Sequence, residues 1–522
     1  MIDGITFVDA LCRTGLPCIK QEGAIYYADD LVAEMDRVGV DGALVHHVHA
    51  QEVSPAEGNE AVLREGAGTS RLLPVWVGLP PATGELEPPE RWCRNLDRSG
   101  VRAVTFFPGE GWDTHGYRLV PRNVGGLFEC LNADHVPVIL NFGASNVSVS
   151  ELADLAERYP GIPFIVARFP PTVMRNLLPL LLHAPNVYLE TSLFQVNGGI
   201  EWACNALGPE RLVFGSNMPT SSLGAAVAPV LYADIPRESK QLIASGNLMR
   251  LLRMDEGARP VGTGREMPQL PYRIIDGHGH VGPWGPSWIE EHDADAIVRR
   301  LDRLNVEFLC ATSAWSLAGD NRSGNDRLAA EATRHSGRII PYATFNPNDT
   351  APRAELERCF DELGMRLVKI HPGFHRCALG SRKWAPVWQL AEERKTIVLI
   401  HTVGTTEDCD AAVRIASDHP HLRLLLAHAG NGFDNADHYL AAAATCPNIF
   451  LELTFSACLD GIIEHLVATA PQRIVYGSDM AWRAPESQYG WAAWARIGEE
   501  HRQWLLRDTM LGLLRYAGAL PS

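Results

Sequence analysis

Short apolar runs alternate along the chain with longer stretches in which apolar residues recur at helical spacing. The runs TIVLI (396–400) and RLLLA (423–427) are apolar almost throughout, which is typical of strands buried on both faces. The stretches ADAIVRRLDRL (294–304) and APVWQLAEERK (385–395) place their apolar residues three and four positions apart. This alternation predicts parallel strands connected by crossover helices.

The pattern occurs twice, because segments of the first half recur in the second half at a nearly constant offset. PNVYLETS (185–192) corresponds to PNIFLELT (447–454), and SGNLMRLLRM (245–254) corresponds to RDTMLGLLRY (507–516). A chain of 522 residues accommodates two (β/α)8 barrels of about 250 residues each. We therefore predict an α/β protein with two tandem (β/α)8 barrels, over residues 1–254 and 273–522.

Residues 255–272 are rich in glycine, proline and charge and lack an apolar period, so they are predicted to form the linker between the barrels. The alternative architecture is a doubly wound open sheet. Each half has about 250 residues, a common size for a (β/α)8 barrel, and the barrel is therefore favoured.

Composition narrows the class of protein. Hydrophobic residues make up 46% and charged residues 21%, and no apolar run approaches the roughly 18 residues of a membrane span, so we expect a soluble protein without a membrane partner. The net charge of −16 disfavours nucleic acid as a partner. Eleven cysteines without a CxxC pair argue against a disulfide framework, and the opening MIDGITFVDALC has no leader, which predicts the cytoplasm.

The second half carries polar residues where apolar strands end. His278 and His280 lie two apart and therefore point to the same side of a strand, while His401 ends VLIH, His428 ends LLLAH and Asp479 follows IVYGS. In a barrel these positions surround the mouth. Imidazoles with one carboxylate suit a divalent ion, best Zn²⁺, although Mn²⁺, Fe²⁺ or Co²⁺ would accept the same ligands.

Each of these residues also has a plainer interpretation. A His-x-His pair alone is a weak signal, His428 could be a core histidine bonded to backbone, and Asp479 could cap a helix. Their recurrence at successive strand ends favours the metal site, because buried polar groups without partners are costly. A bound ion would lower the pKa of its water to about 7.

In this order, the motifs DGHGH, KIHP, IH, AHAGN and YGSDM resemble the amidohydrolase superfamily. Within it, the chain is similar to the amidohydrolase-related group that includes aminocarboxymuconate semialdehyde decarboxylase. The resemblance covers residues 273 to about 516, whereas residues 1–254 match only as a frame. It implies that His428 and Asp479 act in acid–base catalysis and that one metal ion is bound by His278, His280, His401 and Asp479.

Lys369 and His371, in KIHP, lie two apart and face the same way. In some superfamily members a lysine at this place is carboxylated and bridges two metals; otherwise the pair would bind an acidic group of the substrate, or Lys369 would pair with a carboxylate in the barrel. Four further residues after strand ends are predicted to line a pocket for a planar or acidic substrate, or else only to pack: Trp284, Trp315, Trp482 and Arg483.

The first half has none of these ligands at the corresponding places. It carries instead Leu11, Arg13, Asn141, Arg168 and Asn217, and Thr105 and Phe107 replace the lysine–histidine pair. His46, His47 and His49 are interpreted as a polar mouth or an interface. This degenerate barrel would serve as an intramolecular partner of the second, or keep an anion pocket made of its two arginines.

The sequence therefore predicts a metal-dependent hydrolase whose C-terminal barrel acts on a small, acidic or amide- or ester-containing substrate through a metal-activated water. One alternative is a metal-dependent decarboxylase of an unsaturated or aromatic acid. The other is a non-catalytic binding or scaffold protein. The expected partners are a small-molecule substrate, the other barrel of the same chain and, in a homo-oligomer, further copies.

Overall fold

The computed structural model describes residues 1–21, 23–169, 171–454 and 459–520. The chain divides into two compact units. The first comprises Met1–Pro268 with Pro286–Trp288, and the second comprises Gln269–Gly285 with Ile289–Ser522. The division after Pro268 falls inside the predicted linker, and residues ahead of it join the first unit, where the Gly262 N–H donates to Asp41 Oδ1 (2.9 Å).

The first unit contains an eight-stranded parallel sheet in which each strand pairs with the next along the chain. Its strands are β1 (Val8–Thr14), β2 (Gly42–His47), β3 (Leu72–Val77), β4 (Ala103–Thr105), β5 (Val138–Asn141), β6 (Phe164–Ala167), β7 (Val187–Glu190) and β8 (Leu212–Val213). Its helices are α1 (Ala28–Val38), α2 (His49–Glu52), α3 (Pro55–Gly66), α4 (Pro89–Arg98), α5 (Pro121–Asp134), α6 (Val149–Arg158), α7 (Met174–His183), α8 (Gly199–Leu207), α9 (Leu223–Tyr232), α10 (Arg237–Gln241) and α11 (Asn247–Leu251).

The second unit repeats this sheet order. Its strands are β9 (Ile274–Val281), β10 (Val306–Ser313), β11 (Ile339–Thr344), β12 (Leu367–Ile370), β13 (Ile397–Ile400), β14 (Arg423–Leu426), β15 (Ile449–Glu452) and β16 (Ile474–Val475). Its helices are α12 (Ala294–Arg303), α13 (Ala314–Ala318), α14 (Asn321–Arg334), α15 (Pro352–Asp361), α16 (Ala385–Arg394), α17 (Thr406–Asp418), α18 (Phe433–Thr445), α19 (Asp460–Thr469), α20 (Pro485–Trp494), α21 (Glu499–Gln503) and α22 (Thr509–Tyr516).

Backbone hydrogen bonds join the end of each sheet to its beginning. The Ala10 N–H donates to the Phe214 carbonyl (3.0 Å), and the Gly277 N–H donates to the Tyr476 carbonyl (2.9 Å). Parallel strands with intervening helices and this closure make each unit a (β/α)8 barrel. The predicted fold, two tandem barrels, is confirmed.

The barrel cores explain why the strands read as apolar runs. In the second barrel the inward side chains form one fully buried cluster, with residues such as Ile275, Leu399, Leu425 and Val475. A corresponding cluster fills the first barrel. Because both faces of each strand are covered, the alternation of polar and apolar residues found in half-exposed strands is lost.

A short π-helical turn precedes the last helix of each barrel, at Leu242–Gly246 and Trp504–Asp508. In each barrel, one carbonyl group of this turn accepts a hydrogen bond from the residue that follows the eighth strand. The Phe214 N–H donates to the Ile243 carbonyl (2.9 Å), and the Tyr476 N–H donates to the Leu505 carbonyl (3.0 Å). The two halves thus share even an irregular element.

Two further predictions concern the whole chain. No helix in the described residues has the length and apolar character needed to cross a membrane. The ten cysteines in the described parts of the chain are all free thiols, as expected without a disulfide framework.

Candidate metal centre

A buried aspartate fixes the backbone around the predicted histidine pair. Asp276, on β9, accepts hydrogen bonds at Oδ1 from the N–H groups of His278 (3.1 Å) and Ser478 (3.1 Å), and at Oδ2 from the Ser478 hydroxyl. The Asp479 N–H in turn donates to the His278 carbonyl (2.9 Å). This Asp–Ser clasp holds the segment after β16 against β9 and so brings Asp479 beside the histidines.

The donor atoms of three predicted ligands converge. His280 Nε2 lies 2.9 Å and His278 Nε2 lies 3.7 Å from Asp479 Oδ1. Ligand bonds of about 2.1 Å in a tetrahedral site place neighbouring donor atoms roughly 3.4 Å apart. His278, His280 and Asp479 therefore fit one divalent ion, and they form one of the two groups of converging metal donors in the described residues.

Each histidine of this pair is held through its other ring nitrogen. His278 Nδ1 lies 2.7 Å from Glu452 Oε2, and His280 Nδ1 lies 2.8 Å from Thr312 Oγ1. Such contacts fix the tautomer and the ring orientation of a metal ligand. With Nδ1 engaged in both rings, the two Nε2 atoms face Asp479.

Glu452 is a candidate site residue that the sequence analysis missed. It ends β15, is fully buried, and also accepts hydrogen bonds from the N–H and hydroxyl groups of Thr454. Burial raises its pKa, against the opposing effects of His428 and Thr454. The repeated segments PNVYLETS and PNIFLELT carry the signal, since both halves have a glutamate there.

His428 and His401 form a second histidine pair. His428 Nε2 lies 3.0 Å from His401 Nδ1, and the ring of His428 lies 5.3 Å from that of His278. Donor atoms of His428, His278 and Glu452 make up the other converging group. The structure places His401 outside both groups, beside His428, so its role as a ligand stays a prediction.

Burial keeps both of these histidines neutral at ordinary pH. Burial, with a smaller contribution from neighbouring imidazoles, lowers the pKa of His428 to about 4 and that of His401 to about 2. Neutral imidazoles present lone pairs to a metal or a proton donor.

Lys369 joins the cluster from β12. Its fully buried Nζ lies 2.9 Å from His278 Nε2. Burial lowers its pKa to about 8, although the nearby charges of Asp479 and Glu452 raise it. Its predicted partner His371 stacks between Phe374 (ring centroids 3.9 Å apart) and His401 (3.8 Å).

Aromatic rings cover one side of the metal ligands. Trp482 stacks on His280 with centroids 3.7 Å apart and planes 8° apart, and Trp284 stacks on Trp482 at 5.2 Å. Arg483 Nε lies 3.7 Å from Asp479 Oδ2. Trp315 instead lies on α13, with the Arg327 guanidinium 4.3 Å over its ring.

The first barrel repeats the frame of this site without its ligands. Asp9 accepts hydrogen bonds from the N–H groups of Leu11 (2.9 Å) and Ser216 (3.0 Å) and from the Ser216 hydroxyl. Glu190, equivalent to Glu452, bonds the Ser192 N–H and hydroxyl, both at 2.7 Å. Among the described residues, both groups of converging metal donors lie in the second barrel.

In the early histidine cluster of the first barrel, His46 and His47 are buried and His49 is exposed. His47 Nε2 lies 3.4 Å from Glu65, and the rings of His47 and His49 are 4.5 Å apart. Burial lowers the pKa of His46 to about 3. These contacts fit the polar-mouth interpretation, with the histidines serving packing and hydrogen bonding.

A family model described as amidohydrolase matches residues 13–254 and again residues 275–514. The chain belongs to the amidohydrolase family. This membership makes the protein an enzyme of a metal-dependent family, and the resemblance inferred from the motifs is confirmed for both halves. The scaffold alternative is therefore set aside.

Solved structures resemble the amidohydrolase chain over about half its length. A 2,6-dihydroxybenzoate decarboxylase bound to 2,6-dihydroxybenzoate has 16% identity and a TM-score of 0.39; the match covers 47% of this chain and 99% of the other. The 5-carboxyvanillate decarboxylase of Sphingomonas paucimobilis has 15% identity and a TM-score of 0.38, with the same coverage. A TIM-barrel protein of Bordetella bronchiseptica has 17% identity and a TM-score of 0.40, again with that coverage. No curated protein matches the chain.

Proposed function

We propose that residues 273–522 form a metal-dependent hydrolase site for a small acidic substrate. The observation that carries the proposal is the convergence of His278 Nε2, His280 Nε2 and Asp479 Oδ1. We propose one divalent ion, Zn²⁺ by preference for this donor set, with His401 as the further ligand. When bound, such an ion supplies a Lewis acid that activates water or a substrate oxygen.

Glu452 and Thr312 are positioning residues in this proposal. The Nδ1–H of His278 donates to Glu452, which leaves the Nε2 lone pair for the metal. Thr312 does the same for His280 through its hydroxyl oxygen. Because both partners are buried, neither ring can turn without losing a hydrogen bond.

Asp479 is the proposed proton carrier. Burial raises its pKa, but the close contact with His280 and the neighbouring histidines outweigh burial and hold the pKa well below its ordinary value. It is therefore ionised at neutral pH and able to accept a proton and return it to a leaving group. His428 interacts electrostatically with Asp479 and is a neutral imidazole that can assist the transfer.

Lys369, Trp482 and Trp284 define the substrate we propose. The lysine places a buried cation beside His278, and the stacked indoles form a flat apolar wall beside His280. A planar substrate with an acidic group satisfies both surfaces. Arg483, near Asp479, adds a second cation on that side.

Decarboxylation of an aromatic or unsaturated acid is the second candidate. The same flat wall and buried lysine favour it, because an aromatic carboxylate could stack on Trp482 with its carboxyl group toward Lys369. Both reactions use the same ligands, and only the products separate them.

A product assay tests the proposal. The full chain, loaded in turn with Zn²⁺, Mn²⁺ or Co²⁺, is offered aryl esters, acyl amides and hydroxybenzoic acids. Metal-dependent release of acid from the esters or amides supports the hydrolase. Release of CO₂ from the benzoic acids, without hydrolysis of the esters or amides, supports the decarboxylase and contradicts the hydrolase. If none of the three substrate classes gives a metal-dependent product, both proposed reactions are contradicted.

A further inference from the structure

The first barrel has a cavity of about 220 Å³ where its strands end. Its walls include Arg13, at the end of β1, and Thr220, which follows β8. Arg13 occupies the place of His280 in the second barrel, and Thr220 lies three residues after Asn217, the counterpart of Asp479. The volume is below the 300–1,000 Å³ of typical drug-sized ligand sites, so the occupant must be small.

Arg13 is a half-buried cation without a close counterion. Within the residues that the structure describes, its guanidinium forms no ion pair or hydrogen bond. Burial lowers its pKa, while the charges of Glu52, Tyr26 and Asp113 raise it. A guanidinium stays protonated in proteins, so Arg13 offers N–H donors to the cavity.

Arg168 places a second cation behind Thr220. Its Nη1 donates to Thr220 Oγ1 at 3.4 Å, and its buried Nε has no hydrogen-bond partner among the described residues. Burial lowers the pKa of Arg168, the nearby charge of Glu190 raises it, and the charge of Arg13 lowers it, so the two arginines lie close enough to interact electrostatically. Burial raises the pKa of Glu190 to about 8, so this carboxyl is mostly protonated at neutral pH and offsets only part of the positive charge of the two arginines.

The rim of the cavity limits both the charge and the shape of a ligand. Ile19 and Trp112 line it while each is 64% exposed, which offers an apolar surface next to the cations. Glu52 and Asp113 also line it and would repel a second negative charge. A single carboxylate with a compact apolar part matches these features.

We propose that the mouth of the first barrel binds a small organic monocarboxylate, which Arg13 holds directly and Arg168 attracts from behind Thr220, with Trp112 covering its apolar part. Guanidinium–carboxylate contacts are charge-assisted and can be bidentate, which makes arginine well suited to this ligand. The site binds without turnover, because the converging metal donors of the described residues lie in the other barrel. The inference does not depend on the proposed hydrolase activity.

Calorimetric titration of the full chain, freed of metal, with sodium benzoate tests the proposal; benzamide and inorganic phosphate serve as comparison ligands. The variants are Arg13→Met, Arg168→Met and Trp112→Ala. Arg102→Met is the matched control, since this exposed arginine directly precedes β4 at the opposite end of the strands. Lys369→Met reports on binding in the second barrel.

We expect benzoate to bind, Arg13→Met to weaken it at least about 10-fold, and Arg168→Met and Trp112→Ala to weaken it by smaller factors. Arg102→Met leaves benzoate binding unchanged, and Lys369→Met leaves the Arg13-dependent binding unchanged while removing only separate binding of benzoate in the second barrel. Trp112→Ala, at an exposed position, keeps the test decisive if Arg13→Met fails to fold.

Three results overturn the proposal. Benzoate affinity that is unaffected by Arg13→Met and Trp112→Ala removes the site. A loss confined to Lys369→Met moves the ligand to the second barrel. Equal binding of benzamide, or phosphate binding that displaces benzoate at the same affinity, refutes a carboxylate with an apolar part as the ligand.

Discussion

The two barrels have the same frame and different mouths. Both keep the Asp–Ser clasp, the buried glutamate that ends the seventh strand, and left-handed residues after the sixth and eighth strands, with φ of 52° and 64° at Arg168 and Asn217 and of 68° and 60° at His428 and Asp479. A left-handed non-glycine residue costs roughly 1–2 kcal/mol. The first barrel keeps this left-handed backbone although it lacks the metal ligands, so the strain comes from the shared barrel fold. The fold and the set of ligands can therefore vary independently.

The strongest test of this comparison is to substitute Asp479 and its counterpart Asn217 in separate variants. Asp479→Asn should lower turnover by about 10³-fold or more, because it removes a metal donor and the proposed proton carrier. Asn217→Ala, at the equivalent place, should leave turnover unchanged. Steady-state kinetics on folded variants decide the matter, and activity that followed Asn217 would mean that the halves have been assigned in reverse.

Metal content should show the same asymmetry. We expect elemental analysis to give one divalent ion per chain, a chelator to abolish activity, and the added ion to restore it. His278→Ala should lose the ion, whereas Arg13→Met should keep it. A ratio near two would show either a metal site in the first barrel or a carboxylated Lys369.

Glu452 and Glu190 occupy equivalent places but differ in what they hold. Glu452→Gln should lower metal affinity or turnover about 10–100-fold, since loss of a ligand's supporting partner has effects of this size. Glu190→Gln should change neither. Metal titration with kcat and KM measurements separates these outcomes, and equal effects of the two variants would argue that the glutamates serve only the fold.

Glu190 should contribute to the pH dependence of stability, together with the buried carboxyls Asp9 and Asp276, whose pKa values are also raised. The pKa of Glu190 is about 8 in the folded state and 4.5 as the reference value, so the folded chain holds the proton more tightly. This contribution is fully present below pH 4.5 and is lost as pH rises toward 8. Glu190→Gln should therefore flatten the decline of the melting temperature over that range, and an unchanged profile would contradict the shift.

The smallest expected effect concerns the aromatic wall. Trp482→Ala should raise KM by a factor of about 3–10 with a smaller change in kcat, because the ring contacts the substrate but carries no reaction step. Trp315→Ala is the control, since Trp315 lies on α13 against Arg327. Equal changes of KM in the two variants would contradict the proposal that Trp482 contacts the substrate.

The sequence predicted the fold because buried parallel strands and crossover helices leave distinct periods, and because the duplication showed each pattern twice. It also predicted which strand ends carry polar residues. The structure brings His278, His280 and Asp479 together as expected, and it adds Lys369 through a contact with His278 that spacing alone could not give.

The residues that the sequence analysis did not resolve act through partners distant in the chain. Glu452 contacts His278 although the two residues are 174 positions apart in the chain, and the sequence around either of them does not indicate this contact. His401 sits beside His428 instead of within a converging group, because the orientation of a side chain at a strand end depends on its neighbours in space. Trp315 follows its strand end as Trp482 does, yet it packs on a helix.

The π-helical turns also bear on ancestry. A helix that carries an extra residue at one place is uncommon, and here it occurs at equivalent places, each time with a carbonyl that binds the backbone after the eighth strand. The simplest history is that a single ancestral barrel already had this irregularity when its gene doubled. The first half then lost its histidines while inheriting a bulge that its fold still needs.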